Sequence, residues 1–334
     1  MIRKRHLTLA RKFLAHRWKR LQVFEVQACV LNACNLRCVY CKCPEIKTSV
    51  LTTQQWRELI ADLARLGTMR IKFQGGEPTL RPDFRELCRV SRAKGIITSV
   101  TTNGQRTAEE PTLLDYLDEA VFSLDAAESE VNDRLRGEGT HRKTMESVEQ
   151  ARRRGIRIYI NMVVTRHNLD QIEPMMCLCA EIGAGFNAQH MTLDWVYADD
   201  CARRLALNDD EILVLHQRLV SWKRAGWPLM FGAATYQRSV DWPEYRQLRR
   251  TGDTVSSCMA GRFYVHIEPN GDVFPCGFQV GDFEPINAVH SGIEQALENA
   301  RQHHCLDCAI PYLNERKALF GLHPYALAQL LRRG

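Results

Sequence analysis

Three cysteines fall within eight residues in Cys34-Asn-Leu-Arg-Cys38-Val-Tyr-Cys41, a C-x3-C-x2-C run. Soft thiolates at this spacing suit iron, and three ligands on a four-iron cluster leave one iron open to bind and activate a substrate. The competing reading is a zinc site with Cys43 as fourth ligand. A second set, Cys258, Cys276 and Cys305-Leu-Asp-Cys308, supplies four thiols, which taken alone form a standard structural zinc set. The other six cysteines, Cys29, Cys43, Cys88, Cys177, Cys179 and Cys201, read as small core residues.

Positioning the first set requires a strand that delivers it to one end of a sheet. Strands are expected at Val26–Leu31, Met69–Phe73, Ile97–Thr101, Ala120–Leu124, Arg157–Val164 and Phe186–Met191. Helices are expected between them at Thr53–Leu66, Asp83–Lys94, Pro111–Leu117, Arg142–Arg154 and Leu169–Glu181, with another at Asp209–Arg224. Six βα units imply parallel strands and are too few for a closed eight-stranded barrel. The expected fold class is therefore α/β, a partial (β/α)6 TIM-like barrel, with the C-x3-C-x2-C run at the C-terminal mouth of its first strand. Residues 226–257 read as irregular. Phe263–Glu268 and Asp272–Cys276 flank Pro269-Asn270-Gly271, a hairpin signal, and a short helix is expected at Gly292–Gln302. The organisation read from the chain is a basic amphipathic helix in 1–22, the barrel in 23–240 and a small hairpin/helix module in 241–334.

The 334 residues are 45% apolar and 25% charged, the composition of a chain that buries a core. No apolar run is long enough to span a membrane as a helix. The net charge of +6 is local: residues 1–20 hold eight Lys/Arg and no acid, and the rest carry 37 basic and 39 acidic side chains. A nucleic-acid partner is therefore not expected. The N-terminus lacks the apolar core of a secretory signal, so a cytoplasmic protein is expected, with peripheral contact at the inner membrane surface through the N-terminal helix as one reading and a structural helix as the other.

The cysteine spacing, Tyr40 before the third cysteine and the βα context resemble the radical S-adenosylmethionine (radical SAM) superfamily, over roughly residues 25–190. Gly75-Gly76-Glu77-Pro78 ends the second strand and resembles that family's GGEP motif, which contacts the methionine amino group of SAM. Glycines leave backbone accessible, and a carboxylate can hold an ammonium. Thr102-Asn103-Gly104 and Ser123-Leu124-Asp125 end the next two strands. The resemblance assigns SAM's carboxylate to Ser123 and Arg136, with Arg134 the second choice, and places Asn161 facing the cofactor. It implies a [4Fe-4S] cluster on Cys34, Cys38 and Cys41 that cleaves SAM to a 5′-deoxyadenosyl radical, which abstracts hydrogen from substrate.

The stretch from Cys258 to Cys276 resembles the SPASM/twitch extension of the same enzymes. With four cysteines rather than seven, it implies the shorter twitch form, with one closed auxiliary [4Fe-4S] cluster that accepts an electron. The leading expectation is oxidation of a small molecule or lipid; the alternatives are a peptide-modifying maturase and a zinc-stabilised binding module. An external donor such as flavodoxin or ferredoxin is implied. The substrate, the net reaction and a general base are not legible. Asp194, Trp195, Tyr197, Tyr236 and Trp242 are candidate pocket residues.

Overall fold

The computed structural model describes residues 23–193, 198, 200–242, 245, 249–251, 258–321 and 323. The N-terminal helix read in 1–22 and the pocket candidates Asp194, Trp195 and Tyr197 lie outside these residues.

Six parallel strands run in sequence order across one sheet: β1 (Glu25–Cys29), β2 (Arg70–Gln74), β3 (Ile97–Thr102), β4 (Glu119–Ser123), β5 (Arg157–Val164) and β6 (Gly185–His190). All six match the strands expected from periodicity to within two residues. Helices cover the outer face: α1 (Thr53–Leu66), α2 (Phe84–Ala93), α3 (Gln105–Glu109), α4 (Ser129–Arg136), α5 (Thr140–Arg153), α6 (Ile172–Ile182), α7 (Ala202–Leu205) and α8 (Asp209–Arg224). The helix expected at Pro111–Leu117 is only a 3₁₀ turn, Pro111–Leu114, because Pro111 interrupts the chain after α3. The stretch read as irregular contains α9 (Ala233–Val240), whose buried residues are Thr235, Tyr236 and Ser239, a mostly polar set that hides its apolar face from a hydropathy reading.

The ends of the helices are written locally. Thr52 caps α1 in a capping box with Gln55, and Gly67 ends it in the left-handed conformation. Asn208 and Glu211 do the same at the start of α8. The outward strand residues, among them Val26, Ile71, Phe73, Phe122, Ile160 and Phe186, form one core with Trp56, Leu63, Phe84, Leu87 and Met175 of the helices. Truncating one such side chain to Ala typically costs about 2–5 kcal/mol.

The C-terminal hairpin does not stand apart. β8 (Tyr264–Ile267) lies parallel to β1, pairing Gln27 with His266, and β9 (Asp272–Phe274) returns antiparallel through Pro269-Asn270-Gly271. With β10 (Ile286–Asn287) this gives a nine-stranded sheet. A separate two-stranded ribbon pairs β7 (Arg249–Thr251) with β11 (Cys305–Cys308). α10 (Ile293–Ala300) and α11 (Pro311–Phe320) complete the chain.

The inward face of the barrel is polar at its N-terminal end. Arg316 of α11 reaches Glu25 at 2.8 Å, Tyr312 donates to the same carboxylate, and Arg70 pairs with Glu119. Burial works to raise the Glu25 carboxyl, but the charges of Arg316 and Arg70 outweigh it and hold the group low. Lys72 faces the same interior, and burial pulls its amine down to about 8.

Candidate active site

The loop after β1 carries the first thiols, and two neighbouring loops hold it. Gly76 N–H donates to Leu31 O at 2.8 Å and Glu77 N–H to Ala33 O at 2.9 Å. A Cβ on Gly75 would sit 2.1 Å from Leu31 O, and one on Gly76 would sit 2.3 Å from the carbonyl oxygens of Asn32 and Ala33. The paired glycines are therefore required by the close approach of the thiol loop. The second hold is a buried triad. Tyr40 donates to Asp125 at 2.5 Å, Arg136 Nη1 reaches Tyr40 Oη at 2.8 Å and Asp125 at 3.1 Å, and Asp125 also accepts from Val163 N–H at 2.9 Å.

Cys34, Cys38 and Cys41 are all partly exposed. The Cys34 thiol is pushed up to about 11, first by burial, against hydrogen bonding from Leu36 N–H, and then by the negative charge of Glu77, Cys38 and Cys41. Cys34 thus stands close enough to feel Cys38 and Cys41, and three such thiols are a donor set that fits a metal cluster. Asn103 Nδ2 approaches Cys34 Sγ at 3.8 Å and Asn35 at 2.9 Å, which orients the Cys34 side chain. Cys43 lies buried behind the loop, its thiol turned to Asn32.

Glu77 is fully buried and accepts four hydrogen bonds: from Thr79 N–H and hydroxyl, from the Thr102 hydroxyl at 2.8 Å and from Asn103 N–H at 2.7 Å. Burial raises its carboxyl and these donors oppose the rise. Pro78 starts a buried 3₁₀ turn after it. Ser123 pairs in register with Asn161, and Asn161 with Asn187, whose amide donates to it at 2.6 Å, so these three share one row across β4, β5 and β6. Arg136 is buried, while Arg134 is exposed on the far side of α4.

In the second set, Cys258, Cys276, Cys305 and Cys308 come together across more than forty residues of chain. Cys305 hydrogen-bonds to Cys258, which lowers the Cys258 thiol and raises its own. Burial raises Cys308, and the charges of Cys258 and Cys276 add to this. Among the described residues no three His, Cys, Asp or Glu side chains are grouped to hold a single metal ion.

The sequence reading placed Asn103 and Asp125 at the ends of β3 and β4 but gave neither a role, and it missed His266 and Glu268. His266 on the inner face of β8 and Glu268 just past its end are buried and 2.6 Å apart. His266 also approaches Gln74 at the end of β2, and a Cβ on Gly277 would sit 3.3 Å from its ring. It therefore stands between the end of β2 and Gly277, the residue after Cys276. Tyr236 is buried in the core, and half-buried Trp242 packs against that core and against Cys308, Ala309 and Ile310. Of the residual cysteines, Cys177 is exposed rather than core.

The chain is similar to known proteins over most of its length. The family described as "Radical SAM superfamily" matches residues 29–179. Mycofactocin maturase MftC of Mycobacterium tuberculosis (strain CDC 1551 / Oshkosh) is 32% identical over 259 residues, 75% of this chain and 63% of the relative, so the chain spans less than two thirds of that relative's length. PqqA peptide cyclase of Gluconobacter oxydans (strain 621H) is 31% identical over 259 residues, covering 73% of this chain and 67% of the relative. The fold superposes on Streptococcus suis SuiB bound to its precursor peptide SuiA with a TM-score of 0.65, at 20% identity, covering 93% of this chain and 77% of that one.

Proposed function

The chain belongs to the radical SAM superfamily, an enzyme family that binds a [4Fe-4S] cluster and SAM, and from that premise we propose that it is a peptide-modifying maturase. The observation that carries this reading is its similarity to a maturase and a peptide cyclase over about three quarters of the chain. The small-molecule or lipid substrate expected from sequence has weaker support, from an AdoMet-dependent heme synthase of Methanosarcina barkeri that is 25% identical over 73% of this chain.

In this reading Cys34, Cys38 and Cys41 hold the SAM-binding cluster, and Cys258, Cys276, Cys305 and Cys308 close an auxiliary one. The bound SAM and cluster together supply a hydrogen-abstracting radical. The protein's part is to position them. Arg136 meets Tyr40 and Asp125 through Nη1, which leaves its other N–H groups to meet SAM's carboxylate alongside Ser123. Asn161 faces the same row. Glu77 already holds four donors, so an ammonium group would add to a filled carboxylate or use the backbone carbonyls beside it. His266, held by Glu268, is the group placed to take a proton. An external carrier such as flavodoxin or ferredoxin supplies the electron.

The test is anaerobic incubation of the reconstituted protein with SAM, a low-potential reductant and the peptide fraction of the source cell. A peptide whose mass changes only when all components are present supports the reading. Modification confined to small molecules or lipids would reject it.

A further inference from the structure

The barrel wall is closed on its outer face and open on its inner one. On β1, β2, β4 and β5 the outward Val26, Ile71, Phe73, Phe122 and Ile160 are buried in the core, while the inward Gln27, Lys72, Gln74, Ser123 and Asn161 each keep part of their surface. The strands therefore line a polar chamber below the thiol-bearing mouth. The N-terminal end of that chamber holds more positive charge than negative. Glu25 and Glu119 stand among Arg70, Arg157, Arg316 and Lys72, and the arginines take both carboxylates. Arg316 meets Glu25 at 2.8 Å, Tyr312 donates to Glu25, and Arg70 and Arg157 both reach Glu119. Lys72 is left over. Among the described residues its ammonium has no hydrogen bond and no carboxylate at ion-pair distance, and it stands 5.6 Å from the centre of the Tyr312 ring. Burial pulls the amine down to about 8, which leaves it mainly charged at neutral pH.

An ammonium withdrawn from water without a partner favours an anion, because it has lost hydration and gained no counter-charge. A peptide of ordinary amino acids carries one kind of anion at neutral pH, the carboxylate, on Asp, on Glu or at its C-terminus. In register with Lys72 stand Gln27 of β1 and Ser99 of β3, an amide and a hydroxyl able to donate to a carboxylate's second oxygen. Two residues nearer the mouth on β3, the Thr101 hydroxyl is buried with no hydrogen-bond partner among the described residues. We propose that Lys72 anchors a carboxylate of the peptide inside the barrel and so selects which of its residues stands at the mouth. Lys72 lies three residues before Gly75, roughly 10 Å down the strand at about 3.3 Å per residue. A carboxylate held there leaves the neighbouring residues of its chain beside the first thiol set. The inference rests on the reading of this chain as a peptide-modifying maturase.

The experiment captures peptides on the reconstituted protein and on its Lys72→Met variant, which keeps an unbranched side chain and removes the charge. The probes are synthetic random hexapeptide pools. One has blocked ends and a single Asp or Glu, one has blocked ends with Asn or Gln in that place, and one has a free C-terminus and no acidic side chain. Bound peptides are counted by mass spectrometry. The wild type should enrich at least one carboxylate pool over the amide pool by about tenfold or more, and the variant should lose that enrichment. Which pool is enriched tells side chain from C-terminus. Equal enrichment in both proteins, or none in either, would overturn the anchor. A readout on the wild type alone guards against a misfolded variant: the enriched peptides should slow carbamylation of Lys72 by cyanate, and unslowed carbamylation would overturn the anchor as well. The maturase reading is tested apart, by giving both proteins SAM, dithionite and the peptide fraction of the source cell. A peptide modified equally by both would overturn the anchor and keep the reading. Capture that depends on Lys72, with no peptide modified by the wild type, would overturn the reading and keep the anchor.

Discussion

Arg136 and Asp125 form a buried ion pair at 3.1 Å, and Tyr40 of the thiol loop bonds to both. The pair links the end of β4 to the end of α4 and fastens the loop between them. Removing the carboxylate leaves a buried guanidinium without its counter-charge, which typically costs about 3–5 kcal/mol. Asp125→Ala should therefore lower thermal stability and lose iron from the first site. Tyr40→Phe, which leaves the ion pair in place, should do so far less. Iron content and melting temperature measured on both variants decide this; equal loss in the two would mean that the ion pair is not the fastening.

Gly76 has no room for a side chain, because its Cβ would stand 2.3 Å from two carbonyl oxygens of the thiol loop. Gly76→Ala should push that loop away and reduce iron at the first site while the second keeps its own. Mössbauer or iron analysis of the purified variant checks this. A full iron complement would show that the loop tolerates the displacement.

The seven motif cysteines predict two [4Fe-4S] clusters, about eight irons per chain. Replacing Cys34, Cys38 and Cys41 by Ala should leave about four irons and abolish SAM cleavage. Cys276→Ala or Cys308→Ala should leave SAM cleavage intact while peptide product collapses. Full product from a protein with only the first cluster would make the second purely structural.

Glu77 joins the ends of β2 and β3 through donors on Thr102 and Asn103. Glu77→Ala strands several buried donors, each costing about 1–3 kcal/mol, so a drop in melting temperature should accompany weaker SAM binding. Glu77→Gln keeps an acceptor and should separate the effects, lowering SAM affinity by roughly tenfold, or about 1.4 kcal/mol, with little loss of stability. Calorimetric titration with SAM reads the first quantity and thermal unfolding the second.

Stability should fall as pH drops below 6.5. His190 and His216 are buried on β6 and α8, their rings joined at 3.1 Å, and burial holds the His190 imidazole down at about 4, from an ordinary 6.5. Burial and the charge of His190 lower His216 further. Unfolded histidines take up protons below pH 6.5, while folded His190 resists until about pH 4. The contribution is therefore complete above 6.5 and is lost as pH falls through that window, to the extent of about 3 kcal/mol for His190. Urea midpoints from pH 7.5 to 4.5 should show the decline, and a His190→Leu/His216→Leu protein should show a flatter one.

The sequence alone determined the elements that obey local rules. The six strands, α1 and α8 were legible because alternation, capping boxes and terminal glycines act over a few residues. The first cysteine set and the motif at Gly75–Pro78 were legible because each is a short pattern within a few residues. The tertiary structure decided what is set by contacts between distant segments. It placed β8 beside β1, brought Arg316 and Tyr312 to Glu25 nearly 290 residues away, and gathered Cys258 and Cys276 with Cys305 and Cys308. It also showed that Gly75 and Gly76 are small because another loop lies against them, and that Arg136 is shared with Asp125 and Tyr40. None of these partners is near in sequence, and a buried charge or an absent side chain acquires its meaning only from what packs against it.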